Sequence, residues 1–250
     1  MSDTPIKTAL ITGSGQNIGK AIALHLAKSG FNIIVNGRQN ETACQAVADA
    51  VRGYGQTALV VMGDVGQKAN VDSIAQAGID KFGSIDVVIN NAAIRPHANF
   101  LDISEDQWQR VMDVNMNAAV WLARACLPGM QAKGWGRFIN FSGMNAQRGY
   151  PGAAAVSVSK HAAWGFAKAI AVEFGRNGVT ANVISPGTFP GDDVTIEAGS
   201  NFDKLRAANP SGRLGKPNDI AAMVGYLCSD DGGFVNGQIL QINGGVVMQF

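Results

Sequence analysis

The chain has 250 residues, of which 46% are apolar and 16% charged, and its formal net charge is +1. A length of this order supports one large hydrophobic core and stops short of where chains divide, so one compact domain over residues 1–250 is expected. Lysines and arginines are scattered among acids, which leaves no basic stripe for nucleic acid.

The opening residues, Met1-Ser2-Asp3-Thr4-Pro5, carry no basic segment leading into an apolar run. No later stretch approaches the roughly 18 apolar residues that span a bilayer. These features predict a cytoplasmic protein with no membrane partner. Cys44, Cys126 and Cys228 are odd in number and lack any C-x-x-C spacing, and histidines are too few for a zinc set. They are expected to be reduced packing residues, with no metal bound.

Along the chain, short β-branched runs alternate with longer helical patterns. The first strand is expected at Thr8 to Thr12, and Thr12-Gly13-Ser14-Gly15-Gln16-Asn17-Ile18-Gly19 follows as a glycine-rich turn. Ile18, Ile22 and Leu26 then recur at helical spacing, and Gly30 can close that helix in a left-handed conformation. Glycines between a strand and a helix let backbone approach a pyrophosphate, and the helix amino terminus offers N–H groups to it. Further strands are expected at Asn32 to Asn36, Thr57 to Met62 and Asp86 to Asn90.

Ser104-Glu105-Asp106-Gln107 reads as a capping box opening a helix through Trp108, Val111, Met112 and Asn115 toward Pro128. A strand is expected at Phe138 to Phe141, a long helix from Ala153 to Arg176, and strands at Thr180 to Ile184 and Ile239 to Ile242. Thr188 to Asp203, rich in Gly, Asp and Thr, is the candidate mobile stretch. The alternation predicts an α/β fold, a Rossmann-like doubly wound parallel sheet of about seven strands covered on both faces by helices.

The turn at Thr12 to Gly19 is one of several motifs by which the chain resembles the short-chain dehydrogenase/reductase family of the TGxxxGxG type. The others are Asp64-Val65, Asn90-Asn91-Ala92-Ala93, Asn115, Lys160, Pro186-Gly187, Gly237-Gln238 and Asn243-Gly244-Gly245, so the match runs from Lys7 to Gly245. The resemblance implies a nicotinamide cofactor held by Gly13, Gly15, Asn17, Ile18, Gly19, Asp64, Val65, Asn91, Ala92, Lys160, Pro186 and Gly187. It also implies a homotetramer built on the helices of Trp108 to Leu127 and Ala153 to Arg176. Asn17 stands at the middle glycine of the motif, and asparagine is among the residues that tolerate positive φ. The second strand ends in Asn36-Gly37-Arg38, with no acid to receive ribose hydroxyls and a guanidinium suited to a 2′-phosphate. NADP(H) is therefore expected over NAD(H), with Arg38 as discriminator.

The catalytic positions depart from the family. Its Tyr-x-x-x-Lys reads Val156-Ser157-Val158-Ser159-Lys160 here, and Gly143 stands at its serine position, thirteen residues before Val156. A positioned proton donor contributes roughly 10²–10⁴-fold in rate. Phe189-Pro190-Gly191 replaces the aliphatic-then-threonine pattern beside the nicotinamide. By resemblance Lys160 would bind the nicotinamide ribose, and Asn115 would hold a water linking it to solvent. Ser142 points to the opposite face of its strand and Ser157 is rotated about 100° around its helix, so neither substitutes for the lost group. His97, Asn145 and Tyr150 are the candidate replacements, and Arg95, His97, Gln147 and Phe189 the candidate substrate contacts.

The leading expectation is an NADP(H)-dependent oxidoreductase on a small polar carbonyl or alcohol, with protons from water, Lys160 or His97. A lyase or hydrolase using the fold without redox chemistry is the second. A non-catalytic cofactor binder is the third, and its signs would be Lys160 pointing into solvent or Val156 sealing the cleft.

Overall fold

The computed structural model describes residues 6–191 and 194–248. Seven parallel strands form one sheet in the order β3-β2-β1-β4-β5-β6-β7. They are β1 Thr8–Ile11, β2 Asn32–Gly37, β3 Ala58–Met62, β4 Val87–Asn90, β5 Gly136–Phe141, β6 Val179–Pro186 and β7 Ile239–Ile242. All seven expected strands are present, with ends moved by one or two residues. β1, β2, β4, β5 and β6 are almost wholly buried in apolar runs rich in Val and Ile, as a sheet covered on both faces requires.

Alternation along the strands divides the core. Ile11, Ile33, Val35 and Ile89 join α1 (Asn17–Lys28), α2 (Glu41–Arg52) and α9 (Pro217–Cys228) on one face. Leu10, Ile34, Val88 and Phe138 join α3 (Lys68–Phe82), α5 (Ala118–Lys133) and α7 (Ala154–Phe174) on the other. Cys44, Cys126 and Cys228 are buried and unbridged, and burial pushes the Cys126 and Cys228 thiols up to about 12.

Two helices differ from the expected pattern. The helix begun at α4 (Glu105–Met112), with the Ser104 hydroxyl accepting from the Gln107 N–H at 3.2 Å, passes through a π-helical turn at Asp113–Asn117. It then continues as α5 to Lys133, beyond Pro128. Residues after Gly143 form a short helix α6 (Met144–Arg148) instead of a loop. The expected mobile stretch includes Asp192 and Asp193, which lie outside the described residues; its later part starts α8 (Asn201–Ala207), capped by Ser200. No helix among the described residues is long and apolar enough to cross a membrane.

Candidate functional site

Strand order reverses between β1 and β4, and in open α/β sheets ligands bind in the crevice at such a point, outside the strand carboxyl ends. Thr12, one residue past β1, ties the two sides together. Its hydroxyl accepts from the Asn91 and Ala92 N–H groups at 3.0 and 2.9 Å, and the Asn91 amide donates to the Thr12 and Gly13 carbonyls at 2.9 and 3.2 Å. Asn91 therefore braces the glycine turn with its side chain. Ala92 sits against Gly13, whose φ is +63°.

The turn itself has two tight points. A Cβ on Gly19 would lie 2.3 Å from the Gly13 carbonyl, and one on Gly15 would lie 3.1 Å from the Cys44 Sγ. Asn17 takes φ 49°, the one positive value at a non-glycine among the described residues, so an L-residue does serve at the middle glycine. No side chain caps α1, which leaves its amino-terminal N–H groups directed at the crevice. Ile18 packs into the core beside that turn. This cradle fits a pyrophosphate.

At the next strand end, buried Asn36 donates to the Val61 and Gly63 carbonyls at 3.0 and 3.2 Å while its backbone N–H donates to Ser14 Oγ at 3.1 Å. Asn36 is thus a brace between β2, β3 and the glycine turn. Arg38 is half exposed, donating to Gln39 Oε1 at 3.2 Å and lying 3.9 Å from Asp64. Asp64 is held more closely by Arg110 at 2.5 Å and accepts from the Gly66 N–H at 2.9 Å. Burial pushes the Asp64 carboxyl up, but the Gly66 N–H and the Arg110 and Arg38 guanidinium groups outweigh it and hold its pKa below the usual value. Val65 is buried against the α3 face. Arg110 was not legible as a site residue in the sequence, because only the fold brings α4 to the end of β3.

At the catalytic end, Asn115 sits in the π turn and is 1% exposed. Its Oδ1 accepts from the Ile94 N–H at 2.9 Å, and its Nδ2 donates to the Ile94 carbonyl at 3.0 Å and to Ser159 Oγ at 3.2 Å. Both amide hydrogens and one lone pair of the side chain are thus used in holding the loop after β4 against α7. Lys160 is 2% exposed on α7. Among the described residues no hydrogen-bond acceptor or carboxylate meets its Nζ, and burial, with Arg95 as a second cause, pushes its pKa down to about 7. Val156, one turn earlier on the same helix face, is half-buried. Buried as it is, Lys160 does not point into solvent, the first of the two signs expected of a non-catalytic cleft.

Gly143 has φ 175° and ψ 150°, and no atom lies within 4 Å of the Cβ it lacks. A serine would fit there unstrained. His97 is exposed and edge-on to Tyr150 at 6.1 Å, and a Cβ on Gly152 would lie 2.4 Å from its ring. With the Ala98 N–H donating to the Gly152 carbonyl at 2.9 Å, this ring clasps the two cleft loops together. Asn145 and Tyr150 are exposed on α6 and just after it. Gln147 Oε1 accepts from Gln241 at 2.8 Å, which directs it to β7.

Phe189 lies against Gly215, where an added Cβ would be 2.4 Å from the ring, and joins the core on the α9 side. Pro186 ends β6, and the Gly187 N–H donates to the Ile242 carbonyl at 3.0 Å, so this turn is fixed by the last strand. Among the described residues no group of His, Cys, Asp and Glu could hold a metal ion.

The chain is similar in sequence and fold to known proteins. The profile of a family described as Enoyl-(Acyl carrier protein) reductase matches residues 13–247. A 3-oxoacyl-(acyl-carrier-protein) reductase of Synechocystis sp. is 33% identical over 249 residues, 99% of this chain and 100% of the relative. The 3-oxoacyl-(acyl-carrier-protein) reductase FabG of Staphylococcus epidermidis is 30% identical over 242 residues, 97% of this chain and 99% of that one. The crystal structure of acetoin dehydrogenase YohF from Salmonella typhimurium superposes with a TM-score of 0.87 at 28% identity, covering 96% of this chain and 95% of the other. With the strand order, the glycine turn at the switch point and a family match over nearly its whole length, the chain belongs to the short-chain dehydrogenase/reductase family of oxidoreductases.

Proposed function

We propose that the protein is an NADP(H)-dependent oxidoreductase interconverting a small polar carbonyl compound and its alcohol, with Lys160 as proton donor where the phenol is missing. The observation that carries this reading is the Lys160 ammonium, buried, without an acceptor among the described residues, and with its pKa brought down to about 7. Helical side chains lean toward the preceding turn, so a lysine four residues after Val156 extends toward the place where a longer, phenol-bearing side chain at 156 would end. A general acid works best with a pKa near the working pH.

The nicotinamide supplies a hydride to the carbonyl carbon when bound. Lys160 gives one proton to the carbonyl oxygen, the C=O π bond becomes O–H and C–H, and the neutral amine regains its proton from solvent. Asn115 ties the loop at Ile94 to Ser159, the residue before the lysine. His97 is a weaker choice of donor, since its ring is engaged by Gly152 and Tyr150. Lys160→Met should abolish NADPH-dependent carbonyl reduction while leaving cofactor binding measurable by fluorescence. Full activity in that variant would overturn the assignment, and turnover with no change in nicotinamide absorbance would favour the non-redox reading.

NADP(H) preference rests on Arg38 and on the missing acid after β2. Arg38→Ala should cost about 1–3 kcal/mol of preference for NADP(H) over NAD(H) in calorimetry, the scale of one charge-assisted contact. Equal affinity of the unaltered protein for the two cofactors would refute it. A homotetramer built on α4, α5 and α7 belongs to the same proposal, and a stable monomer in sedimentation at micromolar concentration would refute it.

A further inference from the structure

A second cation stands in the cleft region beside Lys160, and among the described residues neither is paired with a counter-charge. Arg95, on the loop after β4, is exposed to solvent yet crowded by protein atoms. Asn115 ties that loop, at Ile94, to Ser159, the residue before Lys160, and the Arg95 charge is the second cause, after burial, of the lowered lysine pKa. Exposure keeps the guanidinium charged. Eight salt bridges occupy other lysines and arginines of the described residues, and none involves Arg95 or Lys160. The segments that form this cleft are also free of acids: residues 87–101, 138–172 and 182–191 contain no Asp or Glu. Asp192 and Asp193 follow next and lie outside the described residues.

Two neighbouring cations in a partly desolvated cleft repel each other, and no carboxylate of the described residues pairs with either to offset that repulsion. An oxyanion on a ligand would do so, and a planar guanidinium matches it with two parallel N–H donors. We infer that Arg95 forms an anion subsite of the cleft and that the substrates are small carbonyl compounds bearing an oxyanion close to the reacting carbon. This rests on the proposed carbonyl chemistry at Lys160. The Arg95 fork binds the oxyanion, and the adjacent lysine faces the carbonyl oxygen. Short 2-oxo and 3-oxo acids and phosphorylated ketones carry an oxyanion of this kind.

The test compares 2-oxobutanoate, its methyl ester and dihydroxyacetone phosphate as substrates of the NADPH-loaded protein. It also measures calorimetric binding of oxamate, an unreactive analogue of a 2-oxo acid. The unaltered protein should favour at least one anion over the ester in kcat/KM, and the favoured arm tells carboxylate from phosphate. Arg95→Gln should lower the anion-to-ester ratio about tenfold or more, the effect of one charge-assisted contact, and Arg95→Lys should restore part of it. Melting curves check that both variants fold. Oxamate binding that depends on Arg95 without turnover of any carbonyl would keep the subsite and remove the oxidoreductase reading. An unaltered protein that treats anions and ester alike, or an Arg95→Gln variant with an unchanged ratio, would overturn the subsite.

Discussion

Replacing Lys160 by methionine should stabilise the cofactor-free protein, because the site keeps a cation where burial opposes it. Moving the pKa from 10.5 to about 7 corresponds to about 5 kcal/mol at about 1.4 kcal/mol per pH unit. Relaxation and water penetration reduce the recoverable part to about 2–4 kcal/mol. The sign follows from the protons bound. Between pH 7 and 10.5 the unfolded chain keeps the lysine protonated and the folded chain releases it, so stability rises with pH across that window. Below it both states are protonated and the slope vanishes.

Urea unfolding at about pH 7 and about pH 9, at fixed protein concentration, should show the unaltered protein gaining about 2–3 kcal/mol relative to Lys160→Met. At neutral pH the variant should be the more stable of the two. Parallel pH dependence in both proteins would refute the reasoning, since the lysine would then have the same pKa folded and unfolded.

Restoring Gly143→Ser and Val156→Tyr together should raise NADPH-dependent reduction of activated ketones, because the extended backbone and open space at 143 accept a serine. Either change alone should do less, and no gain with folding and cofactor binding intact would refute the expectation. Gly19→Ala places a Cβ 2.3 Å from the Gly13 carbonyl and should abolish measurable NADPH binding while costing about 1–3 kcal/mol in denaturant unfolding; unchanged binding would contradict the cradle. Asp64→Asn removes the Arg110 partner at 2.5 Å and should cost about 1–3 kcal/mol at neutral pH. Because the folded carboxyl has a lowered pKa, that difference should fade as the pH drops through it.

Sequence patterns reached the sheet almost completely, because buried parallel strands leave continuous β-branched runs such as Ile33 to Val35 and Val87 to Ile89. They also reached the glycine turn, since local backbone demands appear as local residue types. The pairings across the fold were not accessible. Nothing in the spacing of Asp64 and Arg110 signals a 2.5 Å contact, and nothing around Gln147 points to Gln241 on the last strand. Helix α6 escaped because Met144–Arg148 is too short to show a period. That no ion pair of the described residues takes up Lys160 or Arg95 became visible only once the fold was known.

The π turn at Asp113–Asn117 amounts to one surplus residue threaded into an otherwise regular rod. Such a surplus rotates everything beyond it by about 100° about the helix axis. Asn115 latches it open with three hydrogen bonds to Ile94 and Ser159. If the latch were lost, the rod could anneal to plain α-helix only by turning α4, and Arg110 would then swing away from Asp64. The two contacts are therefore geared to each other: the residue that meets Ser159 sets the angle at which the Arg110 guanidinium, on the turn before it, meets its carboxylate.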